Sequence, residues 1–450
     1  MRKILPAAFI LVLLASTYAG AQESILANPY KDILLEKSIS FSIGHILKGL
    51  LGMAAIVFVC WCFSSNKKGI DWGTVGKALF LQLAIAVSVL AFPAVQTVFE
   101  VLGQGFVAVL GWTKAGSNFL FGGLMDTSKF GFVFVFQILP TIVFFSALMS
   151  LFFYLGIMQK VVYGMGWVFT KFMRLSGAES LSCAGNIFLG QTEAPLMVKE
   201  YIPKMTRSEL MLIMTCGMAT MAGGVMAAYI AMLGGGDRVM EIEFAKHLLS
   251  ASVMAAPGAI ALSKIMVPQT EAIDNTLEVT KERLGKNVLD AISNGTTEGL
   301  KLAANVAAML LVFYALIAGA NEILGLVGLS LERILAIVFY PIIWLIGVPG
   351  EDIGLVGQLL GEKLILTEFV GYQSLSDMIR EGAFVSSKSV VMATYVLCGF
   401  ANFASVGILI GGVGGMAPNK KHILSEYGFK SFIASALVAL MSAAMVGMFI

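Results

Sequence analysis

Charge is scarce in this chain. Asp, Glu, Lys and Arg make up 13% of its 450 residues, about half the share of a soluble domain. That excludes a water-facing globule, because too little polar surface exists to coat one. The charges also nearly cancel, at a net +2, so bulk electrostatics give no nucleic acid a reason to bind. Histidine is scarcer still. His45, His247 and His422 are far apart in sequence and near the ends of apolar runs. Neither a nucleophile–base pair nor a metal cluster is evident, which removes the chemical basis for an intramembrane enzyme acting on a lipid or nucleotide. The five cysteines, Cys60, Cys62, Cys183, Cys216 and Cys398, lie in or beside apolar stretches without zinc spacing and read as buried thiols.

What the chain has instead is apolar length. Hydrophobic residues make up 58%, with 48 glycines and 25 methionines, and mean hydropathy is +0.86. Glycine-rich apolar chains suit close helix packing and broken helices in lipid. Apolar stretches recur at about 42–64, 75–97, 131–158, 209–233, 243–266, 299–328, 332–348, 387–413 and 429–450. A bilayer needs about 20 residues per helix. The stretch 332–348 is the shortest and reads as lying along the membrane surface. Residues 1–21 read as a signal peptide or signal anchor, with Arg2 and Lys3 before an apolar run and Ala19-Gly20-Ala21 as the cleavage pattern.

Positive charge sets the expected orientation. Lys67 and Lys68, the basic region around 160–207, the 264–286 loop, and Lys420 with Lys421 should face the cytoplasm. The loop at 234–243 has one Arg against three acids and should lie outside. Both termini then fall outside, on the periplasmic face of an inner membrane. The hydrophilic stretch 268–298 reads as a cytoplasmic connector between two membrane halves.

Two regions, about 160–205 and 350–386, are too broken for simple spans and too apolar for solvent loops. Each carries an acid, Glu193 or Glu368, and each is followed by an apolar helix interrupted by small residues. The first interruption is Ala219-Thr220-Met221-Ala222-Gly223-Gly224, and the second runs from Cys398 to Ser405. Paired interrupted segments in corresponding positions of two halves point to a transporter site. An acid in the membrane costs roughly 2.5–3.5 kcal/mol on insertion scales and needs a compensating role. Glu193 and Glu368 are therefore expected to accept hydrogen bonds from a polar substrate. By position alone, Asn402 and Ser405 suit either a substrate or interhelical hydrogen bonding.

The run 176–233, which contains GNIFLGQTEAPL, closely resembles the concentrative nucleoside transporter family of the sodium-coupled bacterial type. So do 300–325, 359–375 and CGFANFAS at 398–405. The resemblance extends from about residue 40 to the C-terminus. It implies an all-α polytopic membrane protein with about eight transmembrane helices and two re-entrant helical hairpins in inverted repeats. The hairpins would lie at about 161–201 and 350–384. Scaffold helices would occupy 40–158 and 299–348, and the repeats with their transport helices 159–267 and 349–450. A homotrimer is implied as well.

By the same resemblance, Gln191, Thr192 and Glu193 contact the base of a nucleoside. Glu368, Asn402 and Ser405 hold the ribose hydroxyls, and Phe400 and Val225 line the pocket. The sodium ion falls to the side chains of Asn186 and Thr220 with carbonyls of Leu189 and Met221. These are neutral oxygens suited to a hard monovalent cation. Sodium is then the coupling ion, and no other cofactor is implied. The sequence departs from the family at Thr367, often Asn, and at Gly371, often Ala. Both sit beside the expected ribose site. The expected function is sodium-coupled nucleoside import, with proton coupling through Glu193 or Glu368 as the alternative.

Overall fold

The computed structural model describes residues 42–130, 133–274 and 285–450. The signal segment expected at 1–21 lies outside the described residues. Among the described residues the chain is helical, without strands, and eight helices are long and apolar enough to cross a membrane.

The N-terminal part holds α1 (Ile43–Cys62), α2 (Trp72–Ala91), α3 (Pro93–Phe121) and α4 (Leu139–Tyr154). Asp71 opens α2 by accepting from the Gly73 amide, and Pro93 opens α3, where its missing N–H costs nothing. The apolar stretches did not single out α3. Glu100, Gln104, Lys114 and its glycines dilute the run, yet it is long and apolar enough to cross.

Next come α5 (Ile157–Met173), α6 (Gly177–Asn186) and the short α7 (Glu193–Leu196). A separate helix, α5, thus fills the first part of the 161–201 stretch, and the turn before α6 falls at 174–176. Arg174 in the left-handed conformation ends α5, and a capping box between Ser176 and Glu179 starts α6. A second capping box, Thr206 with Glu209, starts α8 (Arg207–Ala219), which breaks at 220–222 before α9 (Gly223–Gly234). Then α10 (Arg238–Met266) follows. Lys264 of α10 donates to Glu179 at 2.7 Å and to the Ser208 hydroxyl at 3.1 Å, all buried. This ion pair ties the base of the first hairpin to α8 and α10.

The second part opens with α11 (Val288–Gly325), which starts inside the 268–298 stretch read as a connector. Gly295 and Gly299 let α11 lie directly on α4: a methyl group on either would meet Ser146 or Val143 at 2.8 Å or less. Then come α12 (Leu331–Leu345), at 15 residues too short to span, and α13 (Ile353–Ile365) with α14 (Glu368–Glu381) as the second hairpin. Asp352 closes that hairpin's base, accepting from the amides of Val385 at 2.9 Å and Ser386 at 3.0 Å. The apolar stretch 387–413 is divided into α15 (Ser387–Val396) and α16 (Phe403–Met416), and α17 (Lys421–Val446) follows.

Burial separates these helices into two classes. The most apolar stretch is 89% buried in Arg207–Gly234, 94% in Arg238–Met266 and 83% in Pro418–Val446. It is only 22% buried in α1 and 11% in α11. The hairpins and broken helices thus pack with α10 and α17 into a dense centre, and α1–α3, α11 and α12 present apolar outer faces. Inside, polar side chains hold helices together, as where Gln82 of α2 donates to Ser442 of α17 at 3.0 Å.

Candidate functional site

The two helix breaks lie back to back at the centre of the molecule. Gly399, with φ +86°, sits so close to α8 that a Cβ there would be 2.4 Å from the Ala219 carbonyl oxygen. Only glycine allows both that backbone conformation and that approach. Each break exposes backbone groups that a continuous helix would satisfy internally.

The turn of the first hairpin docks on the first break. The Gly223 amide, which starts α9, donates to the Phe188 carbonyl at 2.9 Å. This bond ties the turn that carries Asn186 and Leu189 to the break that carries Thr220 and Met221, the four residues expected to hold a cation. Asn186 is fully buried, and neither its Oδ1 nor its Nδ2 has a hydrogen-bond partner. A buried amide without partners costs free energy unless something fills the site. Thr220 donates its hydroxyl to the Cys216 carbonyl at 2.8 Å, leaving the oxygen's lone pairs available. Among the described residues, no group of three or more His, Cys, Asp and Glu side chains could hold a metal ion. The side-chain oxygens of Asn186 and Thr220 are neutral, a type that suits a hard cation and not zinc.

Beside this turn is a cavity of about 650 Å³. Thr192, Glu193 and Val225 line it from the hairpin side. Ser146 and Ser150 of α4, and Asn294 and Glu298 of α11, line it from the other. Glu193 accepts from the Gly190 amide at 3.2 Å and points its carboxylate into this space. Gln191 is buried against Gly217, with its Oε1 unpartnered.

The second hairpin presents Glu368 as the first residue of α14, buried. Its Oε2 accepts from Asn402 Nδ2 at 2.7 Å and its Oε1 from the Tyr229 hydroxyl at 3.3 Å. Asn402 caps α16, its Oδ1 accepting from the Ser405 amide at 2.8 Å. Tyr229 stacks on Tyr372 with ring centroids 4.0 Å apart, which fixes its hydroxyl. Phe400 lies in the same break, partly buried against the core.

The expected residues therefore fall into two groups. Asn186 and Leu189 lie on the turn that docks on the first break, which carries Thr220 and Met221, with Gln191, Thr192, Glu193 and Val225 around the turn. Glu368, Asn402 and Ser405 converge at the second. The 650 Å³ cavity reaches only the first group and does not open onto Glu368, Phe400, Asn402 or Ser405. Sequence reading missed Tyr229 and Lys363. Lys363 of α13 is fully buried and donates to the Val396 and Cys398 carbonyls at 2.9 and 2.5 Å. The available signal was a polar group in an apolar run: Tyr in GGVMAAYIAML, and Lys beside Glu362 in GEKLIL.

Comparison with known proteins bears on this arrangement. Residues 51–124 match the model of the Na+ dependent nucleoside transporter N-terminus, and residues 247–447 that of its C-terminus. Residues 135–236 match a model described as nucleoside recognition. The chain is 42% identical to an uncharacterized transporter of Haemophilus influenzae, over 90% of this chain and 98% of that one. It is 37% identical to the nucleoside permease NupC of Helicobacter pylori, over 90% and 98%. The solved structure of CNTnw in an inward-facing substrate-bound state superposes with a TM-score of 0.84 at 38% identity, covering 90% of this chain and 98% of that one.

Proposed function

The chain belongs to the Na+ dependent nucleoside transporter family, and on that premise we propose that it imports nucleosides across the inner membrane by symport with sodium. The observation that carries the reading is the turn after α6. Asn186 is buried there with both amide atoms unpartnered, against the break that carries Thr220. A sodium ion bound by Asn186, Thr220 and the Leu189 and Met221 carbonyls would answer that deficit. It would also hold the turn closed, ordering Gln191, Thr192 and Glu193 toward the base, with Val225 and Phe400 as apolar walls.

The ribose falls to Glu368, Asn402 and Ser405. A carboxylate offers about four lone-pair sites, and Asn402 and Tyr229 use two of them. The remaining capacity suits vicinal hydroxyls. Gly371 packs against Leu397, where a Cβ would meet the Leu397 side chain at 2.6 Å, so the departure from alanine is matched by its surroundings.

Transport then moves the buried centre, with both hairpins, against the exposed frame of α1–α4, α11 and α12. The hairpins are re-entrant, the frame assembles three copies through its apolar faces, and both termini face the periplasm. Uptake of radiolabelled uridine and adenosine into proteoliposomes tests the reading. Sodium gradients should drive accumulation and imposed proton gradients alone should not. Uptake that follows the proton gradient and ignores sodium would overturn the coupling ion in favour of a titrating Glu193 or Glu368.

A further inference from the structure

The two breaks are built alike but completed differently. At the first, the amide of Asn186 is left without a partner. At the second, the chain supplies its own cation. Helix α15 ends at Val396, and its last carbonyls carry the partial negative charge of a helix C-terminus. The Lys363 ammonium, fully buried, donates to the Val396 carbonyl at 2.9 Å and to the Cys398 carbonyl at 2.5 Å. Cys398 in turn packs its Sγ 3.9 Å from the Ala219 carbonyl, the last residue of α8. The ammonium therefore stands on the second break, one residue's thickness from the first.

We propose that Lys363 is a tethered cation, taking at the second break the place that a free sodium ion takes at the first. The proposal rests on the sodium reading above and deepens it. A lysine on an adjoining helix can span such a break permanently, because its ammonium offers three donors and its stem packs among apolar side chains. Lys363 is thus a positioning residue. It touches no substrate atom, but it fixes the backbone from which Phe400 and Asn402 reach the site. The consequence is that one free cation accompanies each nucleoside. The second positive charge is never exchanged, and travels with the protein.

The test uses the full-length transporter in detergent for binding and in proteoliposomes for flux, with uridine as substrate. Parent protein should couple one sodium ion to each uridine in reversal-potential measurements; a ratio of two would place a free ion at the second break and overturn the proposal. Lys363→Met preserves volume and removes the charge. It should weaken uridine binding about tenfold or more at saturating sodium, and affinity equal to the parent's would overturn the proposal. Lys363→Ser leaves room for an ion. Its uridine affinity should recover as sodium is raised, with a Hill coefficient rising from one toward two, while choline at equal ionic strength does nothing. A Ser variant that stays weak at every sodium concentration would reduce Lys363 to packing. The stoichiometry arm holds even if a variant fails to fold. A parent whose uridine affinity ignores sodium would instead overturn the sodium reading, a result distinct from each of these.

Discussion

The two hairpin turns differ in how complete they are. The second is more nearly closed: Glu368 is buried and already accepts from Asn402 and Tyr229, its neighbouring break is held by Lys363, and the Thr367 hydroxyl at the turn is left without a partner. The first is open: Glu193 faces a cavity, Asn186 has no partner, and Gln191 has an unpartnered oxygen. Polar groups that satisfy one another form a preassembled site, and those left unsatisfied form one that awaits its ligands. On the proposed function, this difference becomes a division of labour, in which the second half holds the sugar and the first half responds to the ion.

The largest effect should come from the base of the first hairpin. Lys264→Met strands the Glu179 carboxylate in a buried position, and should cost about 3–5 kcal/mol of stability. Asp352→Asn, at the base of the second hairpin, keeps one acceptor for its two amides and should cost less, about 1–2 kcal/mol. Thermal unfolding of both variants in detergent checks the order, and equal losses would erase the contrast between the two bases.

Next in size is the sugar site. Glu368→Gln replaces charge-assisted bonds worth about 1.5–3 kcal/mol each, so uridine affinity should fall at least tenfold at any sodium concentration. Uracil, which lacks ribose, should bind poorly to the parent protein. Isothermal titration with uridine and uracil measures both, and unchanged uridine affinity would remove Glu368 from the site.

Smaller effects should separate base from ion in the first half. Gln191→Ala should cost about 1 kcal/mol of nucleoside binding and leave the half-saturating sodium concentration unchanged at saturating uridine. Thr220→Val keeps the shape and removes one oxygen. It should raise the half-saturating sodium concentration and leave uridine affinity at saturating sodium almost as it was. Identical sodium curves for Thr220→Val and parent would misplace the ion.

Much of this architecture can be read along the chain, and the exceptions have physical causes. Long apolar runs announce themselves, and small residues mark both breaks, so α1, α10, α17 and the interruptions within 219–224 and 398–405 were legible. Helix α3 was not, because Glu100, Gln104 and Lys114 interrupt its hydropathy while its length still suffices to cross. The boundary between α5 and α6 was not legible, because both are apolar and only the left-handed turn at Arg174 separates them. Residue types pointed to Glu193 and Glu368, and the family resemblance added Asn402 and Ser405. Tyr229 and Lys363 stayed hidden because their roles depend on partners 139 and 33 positions away, which no local pattern records.

Central to the account is the claim that sodium completes the first half and thereby prepares it for the nucleoside. The most direct measurement is uridine affinity of the purified parent titrated across sodium concentrations, with sodium affinity titrated across uridine in parallel. Linkage requires each ligand to raise the other's affinity by the same factor, and a coupling of about five- to 150-fold is the usual range. The account predicts a uridine Kd that falls steadily as sodium rises and then levels off, matched by the reciprocal shift for sodium. A uridine Kd that is the same with sodium as with choline would contradict it.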